Sequence, residues 1–107
     1  MRWIVETLDA VVDAEIAALP ADLQARFLRI ARMIEAVGLD HMTEPQVKHL
    51  DGKLWEMRMI GRDGIARALY VTATGRRVVV VRVFVKKTRK TPRQELELAH
   101  SRAKEVT

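Results

Sequence analysis

Apolar positions recur along this chain with two different periods, and the places where one period gives way to the other outline the elements. Trp3, Ile4 and Val5 predict a short opening strand at a sheet edge, since the run is brief and flanked by Arg2 and Glu6. From Asp9 to Leu19 the residues Val12, Ile16 and Leu19 fall at helical spacing among alanines, with Asp9 and Asp13 near the positive N-terminal end. Leu19-Pro20 breaks the chain. Leu23, Phe27, Ile30, Ile34 and Val37 then form the stripe of an amphipathic helix ending at Gly38, and two helices so closely joined predict an antiparallel α-hairpin. Residues 39–45 show no period and read as loop.

Beyond that loop the period becomes two. Val47 to Leu50 predicts a short strand leading to a turn at Asp51-Gly52. From Leu54 to Ile60, Trp55, Met57 and Met59 face one side and Glu56 and Arg58 the other. Gly61 to Gly64 turns the chain into Ile65 to Thr72, where Arg67 shares a face with Ile65 and Leu69, while Ala66, Ala68 and Tyr70 share the opposite one. Val78 to Val85, apolar except for Arg82, reads as a strand buried on both faces and hence as the centre of the sheet. Lys86, Lys87, Arg89 and Lys90 end it, because so many cations are not buried together. Thr91-Pro92-Arg93-Gln94 predicts a helix start with Thr91 as cap, and Leu96, Ala99, Ala103 and Val106 make its apolar stripe. The expected fold is α+β and a single domain over residues 1–107. An N-terminal strand and an α-hairpin pack on an antiparallel meander sheet, followed by a C-terminal helix.

Composition changes this picture in two ways. The absence of cysteine removes disulfides, thiolate metal sites and cysteine nucleophiles, and with no long apolar segment the expectation is a soluble, cytoplasmic protein away from membranes. The net charge of +5 divides into −4 over residues 1–47 and +9 over residues 48–107, so the sheet half attracts polyanions, nucleic acid first and acidic protein second.

Candidate chemistry narrows accordingly. His41, His49 and His100 have no metal-ligand spacing, and the five glycines form no phosphate-cradling motif, so neither a metal nor a cofactor is expected. What remains is a cationic constellation of Arg58, Arg67, Lys86 and Lys87 on neighbouring strands. Arginine stays protonated and can bind phosphate or stabilise developing charge, whereas a lysine crowded by cations loses its proton more easily and can act as a base. Glu56 and His49 are further acid/base reserves. Arg67, inside an apolar strand, needs a partner, either Glu56 or a phosphate.

The segments KHLDGKLWEMRMIGRDGIARALYV and VVVVRVFVKKTRKTPRQELELAHSRAKE resemble the RelE/ParE toxin superfamily, in particular its phage-derived, HigB-like branch, where a strand ending in F-x-K-K-T and a T-P helix start recur. The resemblance implies a RelE-like toxin of a type II toxin-antitoxin pair, an endoribonuclease (mRNA interferase) that cleaves mRNA in the ribosomal A site without metal. It further implies neutralisation by a cognate protein antitoxin, expected to be a helix-turn-helix protein. The matching working positions are Arg58, Arg67, Lys86 and Lys87. Glu56 stands where the RelE pattern has a lysine, and no C-terminal tyrosine is present, so the general base and general acid stay unassigned. Lys48, His49, Lys53, Arg89 and Lys90 are expected to contact RNA or the ribosome. The alternative is a ParE-like, non-nucleolytic inhibitor of DNA gyrase.

Overall fold

A computed structural model describes residues 2–107. In chain order the elements are β1 (Ile4–Thr7), α1 (Ala10–Ala17), α2 (Ala21–Val37), a 3-10 turn (Leu39–His41), β2 (Val47–Asp51), β3 (Leu54–Ile60), β4 (Ile65–Ala73), β5 (Arg77–Lys86) and α3 (Arg93–Ala103). The five strands form one mixed sheet in the order β1-β5-β4-β3-β2. β2 to β5 are the expected antiparallel meander, and β1 adds to its edge in parallel, Val5 beside Val78. The Val78–Val85 run is therefore an interior strand but not the central one, a place held by β4. Burial on both faces follows from having a neighbour on each side and does not say how many lie beyond.

The sheet is covered twice. α1 and α2 pack on one face, where Val12, Leu23, Phe27, Ile30 and Ile34 meet Met57, Met59, Ala66, Tyr70 and Val80. Val37 continues the helical stripe in sequence but is exposed, because α2 ends there and the chain turns at Gly38 with φ 92°, a value side chains disfavour. On the other face α3 lays Ala99, with Leu96, Ala103 and Val106 beside it, over Leu54, Leu69, Val71, Val79 and Val81. The face that carries Glu56 and Arg58 is thus partly covered by α3.

Two local features shape the part of this face that stays open. A bulge pairs Leu69 with Arg82 but Tyr70 with Val80, which places Val81 and Arg82 on the same side of β5 and returns Val83 to the α1/α2 core. Without it Arg82 would point into apolar side chains. The β3–β4 turn lies against the start of α2, where Asp22 accepts from the Arg62 amide at 2.8 Å. A Cβ on Gly61 would run into the Asp22 and Leu23 side chains as they stand, so glycine lets the turn come this close without moving them.

Candidate functional site

The α3 side of the sheet is left uncovered near the β3–β4 turn, and there the strands bring cations together. Arg58 on β3 stands directly opposite Arg67 on β4, whose other partner is Phe84 on β5, and Lys86 lies two residues further along on the same side. Like charges opposite one another destabilise a sheet. Glu56, two positions before Arg58, resolves the conflict: its carboxylate lies 3.1 Å from Arg67 Nε and 3.6 Å from Arg58 Nη2.

Arg67 is almost wholly buried and each of its nitrogens is engaged. Besides Glu56, Nη2 donates to the Arg89 carbonyl at 2.8 Å and Nη1 donates to the Thr91 hydroxyl. Burial lowers its pKa, Glu56 pushes it back up and Arg58 lowers it, yet a guanidinium stays charged throughout. Of the two partners open to it in sequence, Arg67 has taken Glu56, and it lies one layer deeper than a direct phosphate ligand. Its work is to fasten the loop between β5 and α3. The same contact explains why Thr91 does not cap α3: the helix starts at Arg93, Pro92 occupies the cap position, and the Thr91 hydroxyl serves Arg67 instead.

Above this buried pair are the side chains that reach solvent. Arg58 is partly exposed. Lys86 is held below the ordinary lysine value by partial desolvation, then by the Arg67 and Arg58 cations, with Glu56 pulling the other way. Lys87, Arg89 and Lys90 are exposed along the loop, whose path is further tied by the Thr88 hydroxyl donating to the Lys90 carbonyl at 2.7 Å. Among the described residues none of these loop cations forms an ion pair with a carboxylate.

The other expected contacts divide. Lys48, opposite Glu56 on β2, is exposed on the same side as the cationic cluster. His49 pairs with Trp55 and points to the opposite side, its Nε2 donating to the Gly52 carbonyl at 2.8 Å and its ring edge-on to Trp55. Lys53 sits in the β2–β3 turn, five residues and therefore about 17 Å of extended strand from Arg58. His49 and Lys53 do not join the cluster.

Sequence reasoning missed two groups. Arg26 and Arg29 of α2 line, with Arg58, a groove of about 290 Å³ at the edge of β3 beyond the end of β2. Their spacing of three on the polar side of the α2 stripe was the available signal. The second group closes the open edge of β5 past the end of β1. Glu15 of α1 accepts from the Val83 amide at 3.0 Å, from Arg82 at 2.7 Å and from Arg102 at 2.8 Å, and Arg82 also donates to Glu95. Arg82, in sequence only the exception in an apolar run, thus joins α1, β5 and α3.

Among the described residues no three of His, Asp and Glu stand close enough to hold a metal ion, and no helix is long and apolar enough to cross a membrane. No curated protein matches the chain. Residues 14–104 match the family described as phage-derived protein Gp49-like (DUF891), a family of RelE-like toxins, and the match takes in the second half of α1, all of α2, strands β2 to β5, the cationic loop and α3. With most of its length covered, the chain belongs to the Gp49-like family of phage-derived proteins.

Proposed function

We propose that this protein is the toxin of a type II toxin-antitoxin pair, of the HigB-like branch, and that it cleaves translated mRNA on the ribosome. The observation that carries the reading is the arrangement of Arg58 and Lys86 over a buried Glu56–Arg67 pair that fastens the cationic loop Lys87–Lys90. Cleavage of RNA through its 2′-hydroxyl requires that group to lose a proton, the phosphorane charge to be neutralised and the departing 5′-oxygen to gain a proton. Lys86, its pKa lowered by its surroundings, takes the first proton. Arg58 neutralises the phosphorane, and water supplies the proton for the 5′-oxygen. Arg67 acts as a positioning residue through Glu56 and the loop, while Lys48, Lys87, Arg89 and Lys90 hold neighbouring phosphates. Such a sparse acid/base set suits an enzyme whose substrate is oriented by the ribosome, since orientation alone can lower a barrier substantially.

The test is induction in a translating extract with primer extension on the message. Cleavage at translated positions is expected, with little on naked RNA, and Lys86→Gln or Arg58→Gln should reduce it at least a hundredfold, the scale of one acid/base or electrostatic contribution. Rapid cutting of naked RNA would overturn the ribosome dependence. Intact message accompanied by inhibited supercoiling would instead favour a gyrase inhibitor of the ParE kind.

A further inference from the structure

The cations of the Arg58–Lys86 cluster continue past the edge of the sheet. The β2–β3 register ends with Val47 opposite Met57, and beyond it β3 faces α2 across the groove of about 290 Å³. Arg58 lines it from β3, and Arg26 and Arg29, both exposed, line it from α2. Among the described residues neither helix arginine meets a carboxylate, and Arg58 meets only that of Glu56, at 3.6 Å and shared with Arg67. Elsewhere Arg77, Arg82 and Arg102 each have a carboxylate within 2.9 Å. Arg26 and Arg29 are neighbours on the helix surface, about 4.5 Å apart along its axis, so their charges repel. An anion in the groove relieves all three cations at once. The remaining lining is mostly apolar, with Ile30, Met33 and Met59, and holds one amide, Gln46, but no aromatic ring.

We propose that an RNA strand lying on the Arg58–Lys86 cluster continues round the edge of β3 into this groove, where Arg29 and Arg26 hold its next phosphates. The proposal rests on the function proposed above only in placing RNA on that cluster; it does not require that the RNA be cut there. A guanidinium presents a planar fork of donors that matches phosphate oxygens, and Arg58 belongs to both the cluster and the groove. A strand with one charge per nucleotide therefore supplies an anion to each cation along a continuous path. Without a ring to stack on, and with one amide to offer a base edge, the groove grips the backbone and not the bases. It extends the footprint without adding sequence preference. An acidic protein segment is the competing occupant, and the test includes it.

The probes are fluorescent dodecamers of 2′-O-methyl uridine and of 2′-O-methyl adenosine, which cannot be cleaved through the 2′-oxygen, with polyglutamate in a separate arm. Binding to the purified protein is followed by anisotropy across a range of salt. The double variant Arg26→Gln/Arg29→Gln should bind both dodecamers about tenfold more weakly, and its slope of log affinity against log salt should be shallower by about 1.4, the counterions of two single-strand phosphates. Its urea midpoint should match the wild type, since both side chains are exposed. Arg2→Gln/Lys104→Gln removes the same charge from exposed positions at the β1 edge and the end of α3, and should keep the wild-type slope. The proposal falls if the dodecamers do not bind, if the slope is unchanged in the groove variant, or if the control pair loses as much. A loss confined to one dodecamer also overturns it, because the groove then reads bases. It falls equally if polyglutamate binds, loses affinity in the groove variant and the dodecamers do not, which would make the groove a seat for acidic protein. Intact message in the translating extract, together with the expected change in slope, would remove the nuclease reading and leave the groove assignment standing.

Discussion

Replacing Glu56 by glutamine tests whether the buried pair is the foundation of the cationic site. Glu56 and Arg67 are 2% and 4% exposed at the side chain and lie 3.1 Å apart. At an effective dielectric near 20 their attraction is about 5 kcal/mol, and removing both charges from water cancels most of it. The pair therefore adds little net stability, while removing one member strands the other at a cost of about 3–5 kcal/mol. Glu56→Gln should fall at the upper end, about 4 kcal/mol, because Arg58, Arg67 and Lys86 then face one another without a carboxylate. Arg67→Gln should cost less, about 3 kcal/mol, since Glu56 keeps Arg58 at 3.6 Å. The double substitution should lose only about 1 kcal/mol, less than either single, because neither charge is then stranded. Urea unfolding with an unchanged m-value measures all three, and melting temperature should drop by about 12 °C or more for each single variant. Single losses below about 1 kcal/mol that add in the double variant would refute the reasoning and make the pair a solvated surface contact.

Lys86 should impart a rising limb to the pH–rate profile of the proposed ribosome-dependent cleavage, absent in Lys86→Arg. In Arg58→Gln, whatever its residual rate, that limb should move to higher pH, because one of the cations lowering the lysine pKa is gone. Glu15→Gln should lower stability by about 2 kcal/mol by weakening charge-assisted bonds from Arg82 and Arg102, and hydrogen exchange at the Val83 amide should quicken. If an antitoxin masks the cationic face with an acidic segment, its association rate should fall steeply with ionic strength in stopped-flow measurements; a flat response would place the contact on apolar surface.

Elements with an unambiguous period were legible in the sequence. Leu23, Phe27, Ile30 and Ile34 face the core as their spacing requires, and Met57 and Met59 meet them from β3. Facing within one strand was also legible, which is why Glu56 and Arg58 could be placed on a common side; that Arg67 joins them depends on the pairing of β3 with β4. What periodicity does not encode is which groups compete for one partner. Thr91 reads locally as a cap, but a buried guanidinium on a strand 24 residues away offers its hydroxyl a charge-assisted bond, and the cap is lost. Nor does alternation survive a bulge: the extra residue at Val81 reverses the facing of everything after it, and Arg82 changes from an anomaly in a buried run to a hub between helices.

The split between an acidic first half and a basic second half acquires a structural meaning once these contacts are combined. Glu15 takes Arg82 and Arg102, Glu6 takes Arg77, and Asp22 takes the Arg62 amide, so N-terminal carboxylates are used on the sheet half. Glu35 closes the edge of β1 by accepting from the Val5 amide at 2.9 Å. These pairings neutralise arginines near α3 and along the β1 edge. No such carboxylate reaches the far end of β5 among the described residues, where Glu56 alone faces Arg58, Arg67 and Lys86 and the loop cations lie beyond. The positive field is thereby confined to one end of one face, beside arginines of α2. A polyanion drawn to the protein meets that end first, and mutating the internally paired arginines should affect folding where mutating Lys87 or Lys90 leaves folding unchanged and weakens polyanion encounter and binding.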